Sequence, residues 1–270
     1  TARIQLRYSA GASHNTRRLN TRVPLLTDAA IFAGLHKYST SVTCLTFAFR
    51  GDRGLTSRTR NAMPTASEEN WTTYVQDPTW LPHAYDARRD TLVFAHLPRE
   101  TQREMVFLDP RFMPPGAQSK PAPIAELGAD VVRHQAGPLH FIFHTGFCCS
   151  TLLARALDIP GVSMGIKEPS VLASFAQYWS NSRRAPGALE ALTITLNLLS
   201  RPLMRGEAQI VKPSTVVNHI IPQLLHARPD AKAIVLFSSL DSFLRAIARR
   251  GLDGRIFARE LFHQFAPVIP

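Results

Sequence analysis

Cysteine is scarce. Three residues in a chain of 270 cannot knit a domain of this size together, so the sequence reads as a protein of a reducing, cytoplasmic compartment. Long apolar runs are missing as well. A membrane-spanning helix needs about 18 consecutive apolar residues, and the nearest approach, residues 29–49, is interrupted by His36, Lys37 and a cluster of Ser and Thr. No membrane span is expected. Acid is almost absent from the beginning of the chain. Residues 1–62 hold ten Lys/Arg against two Asp/Glu, whereas the remaining 208 hold 21 against 18. A folded nucleic-acid binder carries its basic patch on the fold, so the net charge of +11 does not imply a nucleic-acid partner. There is no internal repeat, and overall composition is that of an ordinary globular protein.

The first 62 residues are rich in Arg, Ser and Thr and show no sustained amphipathic period. Met63 is followed by Pro-Thr-Ala-Ser-Glu-Glu, a polar start for a domain. The segment reads as upstream or fragment sequence, with a transit-type targeting segment and a disordered basic tail as alternatives. It is set aside from the fold, leaving 63–270 as one domain. The end, Phe265-Ala-Pro-Val-Ile-Pro270, stops without a cap or a charge, so truncation at that end is expected.

Within 63–138 the pattern gives two strands, Thr91–Leu97 and Met105–Leu108, joined by a polar turn over Pro98–Glu104. A Pro/Gly-rich connection over Arg111–Pro123 and a short helix over Pro123–Arg133 follow. From residue 139 strands and helices alternate. Strands are expected at Leu139–Phe143, Gly161–Ile166, Ala208–Val211 and Ala231–Phe237. Helices are expected at Ser150–Asp158, Ser170–Trp179, Gly187–Met204, Val216–Ala227 and Ser239–Arg250, the last stopped at Gly251. This order predicts an α/β fold with a mostly parallel central sheet between helices. Ligands of such sheets sit beyond the carboxyl ends of the strands.

The loop after the first of these strands carries the chemistry. His140-Phe-Ile-Phe-His-Thr-Gly-Phe-Cys-Cys-Ser-Thr-Leu-Leu153 runs from a strand through small and hydroxyl residues into a helix. A helix start offers unpaired N–H groups and roughly half a positive charge, which suits an oxyanion. The loop has no Lys, so it is not the Gly-Lys-Ser/Thr loop of metal-assisted ATP chemistry. Cys149 and Arg155 have the Cys-x5-Arg spacing of cysteine phosphatases, with a thiol placed where its pKa falls. Ser-Thr-Leu-Leu-Ala reads instead as the start of a buried helix that turns Arg155 elsewhere. Cys148 reads as a small core residue, the adjacent cysteines lack zinc-site spacing, and His140 and His144 read as structural.

These motifs together resemble the sulfotransferase superfamily over about residues 139–250. Thr145-Gly-Phe-Cys-Cys-Ser-Thr-Leu-Leu153 looks like the family's Pro-Arg-Ser-Gly-Thr-Thr-Leu loop, which holds the 5′-phosphosulfate of 3′-phosphoadenosine 5′-phosphosulfate. Lys167-Glu-Pro169 resembles a Glu-Pro found after the second strand. Ile210-Val-Lys-Pro-Ser214, then His219 and Arg228-Pro-Asp-Ala-Lys232, resemble the Leu-Lys-Ser-Pro, His and Pro-Asp-Ala signature of bacterial members. The resemblance implies a P-loop-type three-layer fold, that donor as co-substrate without a metal, and a small-molecule or glycan hydroxyl acceptor. It places donor binding on Thr145, Gly146, Phe147, Cys148, Cys149, Ser150 and Thr151. Glu168 is then the expected general base, with capping of the helix near Ser170 as the alternative. Lys212, and more weakly Lys167, are the expected cations for the transferred group.

The sequence also departs from the family. Phe147 stands where a Lys or Arg is usual, and Cys149 replaces a glycine. Ser238-Ser-Leu-Asp241 replaces an Arg-Asp-Pro, and Ala246 falls near a Ser. That Arg and Ser bind the family's 3′-phosphate, and Ser238, Ser239 or Arg245 are the candidates to replace them. Two other readings remain open: a kinase-like enzyme of the same fold type, and a non-catalytic descendant that binds an anion or a partner. No segment identifies the acceptor.

Overall fold

The computed structural model describes residues 42–48, 71–133, 136–181 and 187–266. Five strands form the main sheet: β1 (Val42–Ala48), β5 (Leu139–His144), β6 (Ser163–Lys167), β7 (Ala208–Lys212) and β8 (Lys232–Ser238), in the order β1-β8-β5-β7-β6. β5 to β8 are mutually parallel, and β1 closes the β8 edge in antiparallel register, Val42 opposite Ser238 and Ala48 opposite Lys232. The chain leaves β5, visits β6 and β7 on one side, then crosses to β8 on the other. β5 is therefore the strand at which the order reverses, where ligands of open α/β sheets bind.

Alternation along the strands explains the layers. Phe141, Phe143, Val211, Ala233 and Val235 belong to the main core, under α5 (Ser170–Asn181), α6 (Ala188–Leu199) and α7 (Ile221–Ala227). Their neighbours Ile142, Ile210, Ile234 and Leu236 belong to a smaller core under α4 (Ser150–Ala156), with Ala154 and Leu153. A strand apolar at every position is buried on both faces, so the parallel sheet is flanked by helices. Gly165 marks the tightest contact: a Cβ there would lie 2.3 Å from the Ala154 carbonyl oxygen, so only glycine lets α4 seat on β6.

A second sheet, β2 (Trp80–Asp86), β3 (Thr91–His96) and β4 (Ser119–Pro123), is an antiparallel meander. β4 sits at its edge, where Pro121 and Pro123 cost no ladder bond. Tyr85 stacks on Phe175 of α5 with ring centroids 4.3 Å apart. The buried Arg201 donates to the carbonyls of Leu198, Tyr74, Val75, Asp77 and Trp80. That one guanidinium fastens α1 (Trp71–Gln76) and the start of β2 to the end of α6.

The expected alternation from residue 139 stands, with corrections elsewhere. Residues 42–48 belong to the sheet, although 1–62 was set aside; Val-Thr-Cys-Leu-Thr-Phe-Ala is a β-prone run that the basic surroundings obscured. The rest of that segment lies outside the described residues. The second expected strand of 63–138, Met105–Leu108, is absent. Its supposed turn is helix α2 (Arg99–Glu104), preceded by Pro98 and carrying Glu100 in its first turn and Arg103 in its last. β2 and β4 were missed because each contains proline. Helix α3 (Ile124–Arg133) is where expected. The helix expected over Val216–Ala227 is a 3-10 stretch, Thr215–Ile220, handing over to α7 at Pro222. After α8 (Leu240–Arg249) the chain turns at Gly251 straight into α9 (Gly251–Phe265), which was not anticipated.

Candidate functional site

The turn leaving β5 is short and bent hard. Gly146, Phe147 and Cys149 all have positive φ, at 83°, 49° and 61°, and Cys149 is the N-cap of α4 without a side-chain capping bond. The Thr145 N–H is used by the Leu236 carbonyl at 3.2 Å, and the Gly146 N–H by His144 Nδ1 at 3.1 Å. Among the described residues the N–H groups of Phe147 to Leu152 meet no acceptor. Consecutive free amides at a helix start form an anion-binding concavity. Thr145 and Cys149 are exposed, Thr151 half-buried and Ser150 buried. Cys148 points into the smaller core, its thiol donating to the Leu236 carbonyl at 3.6 Å.

The charges singled out from the sequence lie beside this turn, and all are engaged. Glu168, with φ of 50°, does not cap α5. Its Oε1 accepts from Lys212 Nζ and lies 3.9 Å from His144 Nε2. Lys212 is 1% exposed, with its ammonium 5.3 Å from the centre of the Phe107 ring. Burial lowers its pKa below the usual lysine range, and the Glu168 carboxylate works against that shift. Lys212 is thus the counter-charge of Glu168 and not a free cation in the crevice. Lys167 departs further from expectation: its Nζ donates to the Arg103 carbonyl at 2.6 Å. Burial and then Arg155 depress its pKa. A lysine one residue before Glu168 could reach the crevice by sequence, but α2 captures it.

His144 links the parts. Its Nδ1 accepts from Gly146, so Nε2 carries the proton and donates to the Pro213 carbonyl at 3.0 Å. Asn218 donates to the His144 carbonyl at 2.9 Å. Burial, and then the Lys212 charge, lower the imidazole pKa to about 3. His144 is a neutral clamp joining the turn after β5 to the turn after β7, so the structural reading of it holds. His140 is structural too, accepting the Lys232 N–H at 3.2 Å.

The turn is partly roofed. Phe147 packs against Phe243 and Phe257 with centroids 5.7 and 5.0 Å away, and the Arg250 guanidinium lies 4.9 Å from its ring centre. The same rings stand over Gly146, where a Cβ would be 3.6 Å from Phe257 Cζ. Phe147 is therefore an anchor for α8 and α9. Ser239 is also a correction: its Oγ accepts the Ser242 N–H and donates to Ser242 Oγ, so it is the N-cap of α8. The Ser238 hydroxyl is buried and has no partner among the described residues. Arg245 pairs with Asp241 one turn away on the exposed face of α8. Arg155 turns away from Cys149 and lines a cavity of about 300 Å³ with Arg103, Glu104 and Asp158, which removes the phosphatase arrangement.

Two contributors were not singled out from sequence. Phe107 covers Lys212, and Arg111, exposed and held in a fork by Asp109, is a cation within electrostatic reach of Glu168. Their segment read as a strand and a connection, so nothing in the pattern placed them here. No family model, curated protein or solved structure matches the chain.

Proposed function

We propose that this protein is a sulfotransferase-like transferase. In this reading the turn Thr145–Thr151 is a P-loop-type cradle for the phosphosulfate of 3′-phosphoadenosine 5′-phosphosulfate, and Glu168 takes the proton from an acceptor hydroxyl. The observation that carries it is the row of amides from Phe147 to Leu152 that meet no acceptor among the described residues, at the end of the strand where the sheet order reverses, beside a carboxylate held on a buried lysine. Free amides match an oxyanion without a metal, and sulfuryl transfer needs positioning and charge stabilisation above all. As the acceptor oxygen bonds to sulfur, the sulfur–oxygen bond to the donor phosphate breaks and the hydroxyl proton passes to Glu168. Lys212 stays protonated and keeps that carboxylate in place.

The aromatic roof over Gly146 and Phe147 favours a second reading, a non-catalytic descendant that keeps the cradle and binds an anion. Thermal melting separates the readings. A ligand at a hundred times its Kd stabilises the fold by about 2.7 kcal/mol. Stabilisation by adenosine 3′,5′-bisphosphate, together with sulfate transfer that Glu168→Gln abolishes without weakening that stabilisation, is the expected result. Stabilisation without transfer by the unaltered chain supports the descendant. A response to ATP with Mg²⁺ alone would reject both in favour of a kinase-like enzyme.

A further inference from the structure

A second group of charges, away from the turn after β5, surrounds the cavity of about 300 Å³ lined by Arg103, Glu104, Arg155 and Asp158. Helix α2 brings Arg103 and Glu104 to it, and the end of α4 brings Arg155 and the Asp158 that follows. Asp158 is the fixed member. Its side chain is 6% exposed, and its Oδ2 accepts from Arg103 Nε at 3.2 Å. Its Oδ1 meets no hydrogen-bond donor among the described residues, although Arg99 Nη2 lies 3.6 Å away. Arg99 is committed to the buried Glu207 at 2.7 Å, whose carboxylate also accepts the Gly161 and Met204 N–H groups. Lys167 is spent on the Arg103 carbonyl. That leaves Arg155 and Glu104. Both are exposed, and among the described residues neither side chain makes a hydrogen bond or an ion pair, with the other or with anything else. One cavity thus faces an uncommitted guanidinium and an uncommitted carboxylate.

We propose that this cavity binds a small zwitterion of the α-amino acid class. A guest with a single charge does not match the lining. A phosphate or a lone carboxylate would meet Glu104 and Asp158, and a lone ammonium would meet Arg103 and Arg155. Either brings like charges together in one small space. An amino acid carries both charges on one carbon. Its carboxylate takes the planar donor fork of Arg155, and its ammonium takes the Glu104 carboxylate, with Asp158 behind. The volume lies at the lower end of the range for small-molecule sites, which suits a single amino acid rather than a peptide. The groups beneath are already engaged with one another, so the guest orders only the two exposed side chains and the cost of closing on it is small. The inference does not depend on the chemistry proposed for the turn after β5.

Thermal melting of the full chain with each of the standard α-amino acids in turn tests it. At least one is expected to raise the melting temperature as its concentration rises. The matching amine and the matching carboxylic acid, each lacking the other charge, should raise it far less. Arg155→Gln and Glu104→Gln should each weaken binding of that amino acid by at least about tenfold, as loss of a charge-assisted hydrogen bond implies. Both side chains are exposed and unpaired, so the variants without ligand should melt with the original chain. Stabilisation by adenosine 3′,5′-bisphosphate should survive both changes, which separates this cavity from the turn after β5. No stabilisation by any amino acid, or stabilisation that both variants leave intact, overturns the assignment. So does stabilisation by inorganic phosphate that Arg155→Gln removes while no amino acid has an effect, which would make the cavity a site for anions alone.

Discussion

The two turns that meet at the carboxyl edge of the sheet are built in opposite ways. The turn after β5 has no charged residue, and the amides from Phe147 to Leu152 have no acceptor among the described residues. The turn after β6, with the end of β7, holds two lysines and a glutamate, and each of those charges is already partnered. The lesson is that an ion in a sequence does not mark where a fold has binding capacity to spare. A buried charge needs a partner before the protein is stable. Backbone N–H groups at a helix start can remain free because the helix geometry itself denies them a partner.

The sharpest way to break this contrast is to unpair the saturated side. Lys212→Met strands the Glu168 carboxylate in a buried setting and should cost about 3–5 kcal/mol in urea unfolding. Adding Glu168→Leu should recover much of that loss. Strictly additive losses would show that the two charges do not act as a unit. The next effect concerns the clamp between the turns. The folded pKa of His144, about 3, lies below its ordinary 6.5. Its contribution is therefore complete above pH 6.5 and is lost as pH falls from 6.5 toward 3. Between pH 6.5 and 5 this amounts to about 2 kcal/mol. His144→Asn should flatten that part of the stability–pH curve, and an unchanged slope would remove His144 as its source.

Smaller effects probe the unpaired side. Gly146→Ala forces a side chain into a left-handed conformation and should cost about 1–2 kcal/mol while weakening anion binding. Cys149→Gly relieves the same kind of strain in an exposed residue and should stabilise the chain by about 0.5–1 kcal/mol. Binding of adenosine 3′,5′-bisphosphate should survive that change, because the backbone and not the thiol is the binding group. Loss of binding would give the cysteine a role of its own.

Much of the sheet was legible in the sequence because its cause is local. Phe141–Phe143 and Ala233–Phe237 are apolar at every position, and a short apolar run between turn signals has few structures to adopt. The small and hydroxyl residues after Phe143 announced a strand-to-helix turn, and that turn is there. The meander was harder, since proline in β2 and β4 argues against a strand until the edge position is known. The site was less legible still. Glu168 and Lys212 were singled out as separate agents, 44 residues apart, and nothing in either segment says that each neutralises the other. Ser239 looked like a ligand group because nothing in the expected helix over 239–250 says that its hydroxyl is spent on the Ser242 N–H.

The amino-acid sequence by itself settled which segments form the four parallel strands, that these are covered on both faces, and where an uncharged, small-residue turn enters a helix. Burial pattern and turn chemistry are carried by neighbours in the chain. Tertiary structure alone decided that β5 lies where the sheet order reverses, that β1 joins the β8 edge, and that α2 captures Lys167. It also decided that Phe147 anchors the C-terminal helices. Each of these depends on which distant groups come within contact distance, and in a close-packed interior a partner tens or hundreds of residues away sets a side chain's role as firmly as its own chemistry does.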